Sequence, residues 1–200
     1  MAVPRAERMT DTAVAIALQS RSLRGPVACV DLETTGGMAA HHRVIEVGIV
    51  LLEQGEIVEE WSTLVHPGTR IPSSIVAFTG IDDSMVAEAP PFADVVQEVR
   101  RRLEGRLFVA HNARFDYGFL RAEFRRLGVK FAAPVLCTVK LSRALYQEHA
   151  RHNLDTLMDR FGLSCMARHR ALGDAQVLPA LIAAMENQRG VDLMHAAVTD

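Results

Sequence analysis

The sequence has few cysteines and no closely spaced pair of them. The three thiols are Cys29, Cys137 and Cys165, and none forms a CxxC motif within the 200 residues. An odd number of widely separated cysteines argues against a disulfide framework and against a structural zinc site. The sequence therefore indicates a protein that works with reduced thiols.

A long hydrophobic run is also missing. The apolar segment near the N-terminus, residues 13–18, follows Asp11, so it is too short and too acidic for a signal peptide. No other segment approaches the roughly eighteen apolar residues that a membrane span needs. These absences predict a soluble, cytoplasmic protein that has no membrane partner.

Lysine is nearly absent, because only Lys130 and Lys140 stand against twenty arginines, and the formal net charge is −2. A chain with this charge is no polycation, so any binding of nucleic acid must come from local patches. Arginine can hold a phosphate through two parallel hydrogen bonds, which lysine cannot do. The arginine excess is compatible with a phosphate-bearing ligand, although arginine-rich surfaces also arise for unrelated reasons.

What is present is an ordinary globular composition, with 49% apolar and 23% charged residues. A chain of 200 residues fits a single domain with a sizeable core. We predict an N-terminal extension over residues 1–25 that contains a short helix at 10–20. A main domain over 26–187 and a C-terminal tail over 188–200 follow it.

Apolar periodicity and turn residues predict an α/β domain whose mixed sheet carries helices on both faces. Three strands come first and form an antiparallel meander, and short helical pieces fill residues 71–90. The predicted strands are 27–33, 43–53, 57–65, 107–110 and 134–138. The predicted helices are 91–104, 112–127, 139–148, 153–161 and 171–187, and Pro179 is expected to kink the last of them.

Asp31 and Glu33 are the most informative residues, since they follow the apolar run 27–30 and precede a turn at Gly36. Alternate side chains of a strand point to opposite faces, so the two carboxylates share one face and Leu32 points to the other. Adjacent carboxylates repel each other and lose hydration in a sheet. A pair of hard oxygen ligands of this kind suits Mg²⁺ or Mn²⁺.

Two later segments place a further acid at the start of a helix. The first is HNARFD at 111–116, which puts Asp116 in a first helical turn. The second is HRALGDA at 169–175, in which His169 precedes Asp174 by five residues at the entrance to the last helix. Taken singly, each acid has the alternative of complementing a helix dipole, and a histidine near a helix start is more often a packing or surface residue.

Together, the three segments resemble the three motifs of the DnaQ-like 3′–5′ exonucleases, and the histidine places the pattern in the DEDDh branch. DLETTG at 31–36 resembles the first motif, HNARFD the second and HRALGDA the third. VIEVG at 44–48, FTGI at 78–81 and HNLDTL at 152–157 also resemble landmarks of the family. The resemblance covers about four-fifths of the chain.

The resemblance implies a ribonuclease H-like fold and hydrolysis of nucleic acid from the 3′ end to nucleoside 5′-monophosphates. Asp31, Glu33, Asp116 and Asp174 would hold two divalent cations, Mg²⁺ or Mn²⁺, which activate a water molecule and stabilise the leaving 3′-oxygen. His169 would accept the proton of that water, a role that suits an imidazole near neutral pH. The domain over 26–187 would then be an exonuclease domain.

Five further residues are candidates for substrate binding by analogy with the family: Thr34, Thr35, Phe78, His111 and Asn112. Several of them have a structural alternative. The threonine hydroxyls would otherwise stabilise an ordinary turn, and Phe78 would pack in the core. Asn112 would otherwise cap the helix that follows it.

The biological role stays open between three interpretations. The pattern is similar to that of the proofreading epsilon subunits of bacterial DNA polymerase III, which favours DNA 3′ ends as substrate and a DNA polymerase subunit as partner. The short tail after residue 187 favours instead a stand-alone nuclease that trims RNA or oligonucleotides. The third interpretation is a nuclease-fold binding module of a polymerase assembly, which the intact catalytic set disfavours.

Overall fold

The computed structural model describes residues 23–189 and the backbone of Val198–Thr199. The predicted helix at 10–20, and most of the predicted extension and tail, lie outside the described residues. None of the helices within 23–189 is long and apolar enough to span a membrane. The described chain forms one mixed sheet with a hydrophobic core on each of its faces.

The sheet has six strands in the order β3-β2-β1-β4-β5-β6. They are β1 (Val27–Thr34), β2 (Val44–Glu53), β3 (Glu56–Leu64), β4 (Leu107–Ala110), β5 (Val135–Cys137) and β6 (Val198–Thr199). The first three strands pair antiparallel, β4 is parallel to both β1 and β5, and β6 closes the edge antiparallel to β5. The predicted meander is confirmed, whereas the sixth strand falls in the segment that was predicted as a tail.

Local sequence explains the hairpin between β2 and β3. Gln54 and Gly55 join the two strands with φ angles of 56° and 85°, and tight hairpins favour such left-handed pairs because they match the strand twist. β2 lies between two strands and is buried along nearly its whole length, so it is almost continuously apolar. β3 is an edge strand, and its side chains alternate between exposed and half-buried.

Seven helices connect and cover the strands in the described part of the chain. They are α1 (Ser73–Thr79), α2 (Asp83–Val86), α3 (Phe92–Leu103), α4 (Ala113–Arg126), α5 (Thr138–Leu145), α6 (Leu154–Phe161) and α7 (Ala171–Arg189). The five predicted helices are confirmed with ends that shift by at most three residues. α7 runs on through the buried Pro179 as one helix.

Alternate residues of β1 divide between the two cores. Val27 and Cys29 pack with residues of α7 on one face, whereas Val30 and Leu32 pack with residues of α3 and α4 on the other. Because side chains alternate along a strand, the residues at 31 and 33 continue the first series. The predicted separation of Leu32 from the two carboxylates is therefore confirmed, and the carboxylates share the face that α7 covers.

The start of α7 packs directly on the backbone of β2. Gly48 pairs with Asp31 across the sheet, and a Cβ atom built on Gly48 would lie only 2.3 Å from the backbone of Ala171 and Leu172. A larger residue would therefore push the helix away from the strand. The contact holds the first turn of α7, which carries Asp174, beside the strand that carries Asp31.

Gly48→Ala should lower the free energy of unfolding by about 1–3 kcal/mol, because the added methyl group overpacks this contact. Gly118→Ala in α4 is the matched control. Apart from its own helix, no part of the described chain lies within 4 Å of a Cβ built at Gly118. The control should be neutral or stabilising by up to about 1 kcal/mol through helix propensity. Urea unfolding followed by circular dichroism measures both changes, and equal stability of the two variants would contradict the close contact.

Candidate active site

Three carboxylates converge where α7 meets β1. Asp31 and Glu33 extend from the strand, and Asp174 extends from the first turn of the helix. One carboxylate oxygen from each of the three lies within 4.8 Å of the others. Closely spaced carboxylate oxygens are the donor set that Mg²⁺ and Mn²⁺ prefer, so the residues present fit a divalent cation.

Asp116 lies beside this group and approaches β1 from α4. Its side chain is buried, and its Oδ1 accepts a hydrogen bond from the backbone N–H of Leu32 at 3.1 Å. Asp116 is not one of the three residues whose oxygens cluster within 4.8 Å. The structure thus brings three of the four predicted ligands together and fixes the fourth at the strand between Asp31 and Glu33.

The acids are electrostatically unfavourable as a group. Burial, followed by the charges of Asp116, Asp174 and Glu33, raises the pKa of Asp31 well above its ordinary value. Burial, followed by the charges of Asp174 and Glu46, raises the pKa of Glu33 to about 7. Burial is also the main cause that raises the pKa of Asp116. A bound divalent cation would relieve these penalties, because opposite charge favours the ionised carboxylates.

Arg168 is the residue of this site that the sequence prediction missed. Its Nη1 pairs with Oδ1 of Asp174, and its Nε and Nη2 lie 2.8 Å and 2.6 Å from Oδ1 of Asp155 in α6. The positive charge of Arg168 lowers the pKa of both Asp31 and Glu33. Its position directly before the histidine of the third motif is the sequence signal that could have identified it.

His169 lies in the loop that enters α7, five residues before Asp174. It is half-buried, and its backbone has a φ angle of 59°, which residues other than glycine seldom adopt. Its ring centroid lies 4.3 Å from that of Phe78, which lies in the last turn of α1 with 59% of its surface exposed. The alternative of core packing for Phe78 is therefore wrong, and the open aromatic face is available to a ligand.

The two threonines after the carboxylates have hydroxyl groups that bind within the turn. Thr34 donates its hydroxyl to the carbonyl oxygen of Gly36 at 2.9 Å. The hydroxyl of Thr35 accepts the backbone N–H of Arg43 at 3.0 Å. Both residues are buried, so these contacts support the turn-stabilising alternative, and a contact with substrate stays a prediction.

His111 and Asn112 take different positions at the start of α4. His111 bonds through Nδ1 to the hydroxyl of Thr138 at 2.8 Å, and its Nε2 is buried. Burial, followed by the charge of Arg168, lowers the pKa of His111 to about 4, so the imidazole is neutral near pH 7. Asn112 is exposed, and its contact with substrate stays a prediction.

The predicted capping role of Asn112 is wrong. Asn112 occupies the N-cap position of α4, but its side chain accepts no hydrogen bond from the helix. The residue has φ 65° and ψ 49°, a left-handed conformation that asparagine tolerates better than most residues. An N-cap side chain reaches the helix amides from an extended backbone, which this residue does not have.

Glu46 anchors the loop that carries His169. Its two oxygens accept the Nε of Arg170 at 3.1 Å, and one of them also accepts Nη2 at 2.5 Å. The backbone N–H of Ala171 donates to the same carboxylate at 2.8 Å, which satisfies a free amide at the start of α7. Glu46 itself is buried on β2.

Glu46→Gln should lower the free energy of unfolding by about 1–3 kcal/mol, because Arg170 loses its charged partner. Glu60→Gln is the matched control on the exposed face of β3 and should change stability by less than about 0.5 kcal/mol. Urea unfolding compares the two variants with the unmodified chain. A cost at Glu46 no larger than that at Glu60 would show that the anchor contributes nothing.

Glu33→Gln should change the pH dependence of stability in the metal-free protein. The folded chain holds a proton on Glu33 up to a pKa of about 7, against 4.5 for the ordinary group, so ionisation of Glu33 destabilises the fold as pH rises through that window. The variant lacks this titration, so its free energy of unfolding should rise by up to about 3 kcal/mol relative to that of the unmodified chain across the window. Urea unfolding in EDTA at several pH values measures the difference in free energy of unfolding between the two chains. If Glu33 had an ordinary pKa, this difference would not change with pH across the window.

Comparison with known proteins places these residues in context. A sequence profile described as an exonuclease (RNase_T) matches residues 28–182. The chain is 39% identical over 155 residues to a PolC-type DNA polymerase III of Caldanaerobacter subterraneus subsp. tengcongensis and 35% identical over 157 residues to that of Bacillus subtilis. Each match covers 78% of this chain but 11% of the relative, so the chain spans about a tenth of their length.

Solved structures of nucleases share the fold. A structure of Exonuclease X in complex with 5′ overhanging duplex DNA has 28% identity and a TM-score of 0.68, covering 82% of this chain and 93% of the other. The nuclease domain of 3′hExo, a DEDDh family member bound to rAMP, has 21% identity and a TM-score of 0.74, covering 90% and 98%. The expected ribonuclease H-like mixed sheet is thereby confirmed.

Proposed function

The chain belongs to the exonuclease family whose profile matches residues 28–182, and on this basis we propose that it removes nucleotides from DNA 3′ ends at the acids Asp31, Glu33, Asp116 and Asp174. Family membership makes the chain a DnaQ-like 3′–5′ exonuclease domain, a hydrolytic nuclease that depends on divalent metal. The substrate class, the metal and the role of each residue are parts of the proposal.

The convergence of Asp31, Glu33 and Asp174 carries this proposal. Their oxygens cluster within 4.8 Å although the residues come from two separate elements. Three buried or half-buried acids at this spacing oppose folding unless a cation is bound. Asp116 adds a fourth carboxylate alongside, which is enough for two Mg²⁺ or Mn²⁺ ions.

Each side chain has a distinct task in the proposed reaction. Asp31, Glu33, Asp116 and Asp174 would hold divalent cations, which would supply positive charge at the scissile phosphate and favour ionisation of the attacking water. His169 accepts the proton of that water. Phe78 offers its exposed ring to the terminal base, because bases stack on aromatic faces without regard to sequence.

DNA is the favoured substrate because of the relatives that the chain matches. The polymerases from two bacteria are DNA polymerases by name, and the Exonuclease X structure contains duplex DNA. The polymerase matches also support a DNA polymerase subunit as partner and a proofreading or repair role. A stand-alone nuclease that trims RNA is the alternative. The cytoplasmic location remains a prediction, as do the boundaries of the exonuclease domain at residues 26 and 187.

Purified protein should release nucleoside 5′-monophosphates from a single-stranded DNA 3′ end when Mg²⁺ or Mn²⁺ is added, and EDTA should stop the release. Asp31→Asn and Asp116→Asn should each lower the rate at least about a hundredfold. Each change removes a carboxylate that would hold the divalent cation, and the cation would stabilise charge in the transition state. Asp159→Asn, an exposed carboxylate of α6, is the matched control and should retain the full rate. Chromatography of the released nucleotides gives the rate and identifies the product.

The same assay separates the alternatives. Equal loss of rate in Asp31→Asn and Asp159→Asn would contradict the assignment of Asp31 as a metal ligand. Faster release from short RNA than from DNA of the same sequence would favour the trimming role. Binding of DNA with no metal-dependent release would favour a binding module.

A further inference from the structure

A positive side chain already lies in the acidic cluster. Arg168 pairs with Asp174, which is one of the three acids whose oxygens lie within 4.8 Å of one another. The side chains of Arg168 and Asp174 are only 22% and 9% exposed, so little solvent screens their contact. Arg168 therefore does for the metal-free cluster part of what a divalent cation would do.

A divalent cation and the guanidinium compete for Asp174. Both need its carboxylate, and two positive charges held a few ångströms apart in a partly buried site repel each other. A cation that binds Asp31, Glu33 and Asp174 must therefore weaken or break the contact between Arg168 and Asp174. The cost of breaking that contact is subtracted from the affinity for the metal.

Asp155 provides a second partner for the displaced side chain. It accepts Nε and Nη2 of Arg168 at 2.8 Å and 2.6 Å, and its own side chain is 62% exposed on α6. Asp155 is not among the three clustered acids. The guanidinium can therefore leave Asp174 and keep both of its bonds to Asp155.

We infer that Arg168 is an internal countercation of the active site, which the catalytic metal displaces from Asp174 and which Asp155 then retains. Arg168 thus sets the metal affinity of this chain without being a ligand. The inference rests on the proposed function, because it takes the acidic cluster to be the metal site.

The experiment measures binding of Mn²⁺ alone to the purified chain by isothermal titration calorimetry. Arg168→Gln should bind Mn²⁺ about tenfold more tightly than the unmodified chain, because a coupling of this kind is commonly worth five- to 150-fold. Arg143→Gln removes the same charge from an exposed position of α5 and is the matched control. It should leave the affinity unchanged.

A second variant tests the role of Asp155. Asp155→Asn should weaken Mn²⁺ binding about fivefold while Arg168 is present, because the guanidinium then has Asp174 as its carboxylate partner and loses that partner on displacement. In the Arg168→Gln background the same change should have less than about a twofold effect, since no guanidinium remains to be retained. An equal effect in both backgrounds would overturn the part assigned to Asp155.

Thermal unfolding in EDTA gives an independent readout. Arg168→Gln should unfold at a lower temperature than the unmodified chain in EDTA and show a larger upward shift on addition of Mn²⁺. If this variant does not fold, Arg168→Met replaces it, because methionine keeps an apolar stem of similar length.

The outcomes separate the inference from the proposed function. Unchanged or weaker Mn²⁺ binding in the Arg168 variant, with metal-dependent nucleotide release by the unmodified chain, overturns the inference and leaves the function intact. An unmodified chain that neither binds Mn²⁺ nor releases nucleotides overturns both.

Discussion

The contact between the start of α7 and the backbone of Gly48 determines the arrangement of the whole acidic cluster. A Cβ at this position would lie 2.3 Å from the helix backbone, so the approach needs a residue that lacks one. It brings Asp174 to the strand face that already carries Asp31 and Glu33, where the charge of Asp174 adds to the burial that raises their pKa values. The fold concentrates like charge at one point, and the proposed function requires that concentration.

Two arginines flank the histidine of the third motif and have different partners. Arg170 binds Glu46, a buried acid of β2 that also receives the first amide of α7. Arg168 binds Asp174 inside the acidic cluster and Asp155 outside it. One arginine fixes the loop to the sheet, whereas the other joins it to Asp174, which a metal would also contact. The loop that carries His169 is therefore held on both sides by charge.

Local rules were sufficient to predict most of the fold and the pairing of Asp31 with Glu33, whereas Asp174 was predicted from the resemblance of its motif to a known family. The shared face of Asp31 and Glu33 follows from strand alternation, and the hairpin at Gln54 follows from turn chemistry. The pairing of Arg170 with Glu46 joins residues 124 positions apart, so no local pattern predicts it. The cap expected at Asn112 failed because its backbone conformation depends on how α4 leaves β4. Arg168 was missed because charge balance in a site is a property of the assembled structure.

The backbone of His169 illustrates a conflict between ease of folding and chemistry. A φ angle of 59° costs a residue with a side chain roughly 1–2 kcal/mol, and a glycine would escape that cost. Variants of this chain selected for heat resistance alone would accordingly drift toward glycine at this position and discard the imidazole. Histidine at this position therefore fits the proposed role of His169 as the acceptor of the proton from the attacking water.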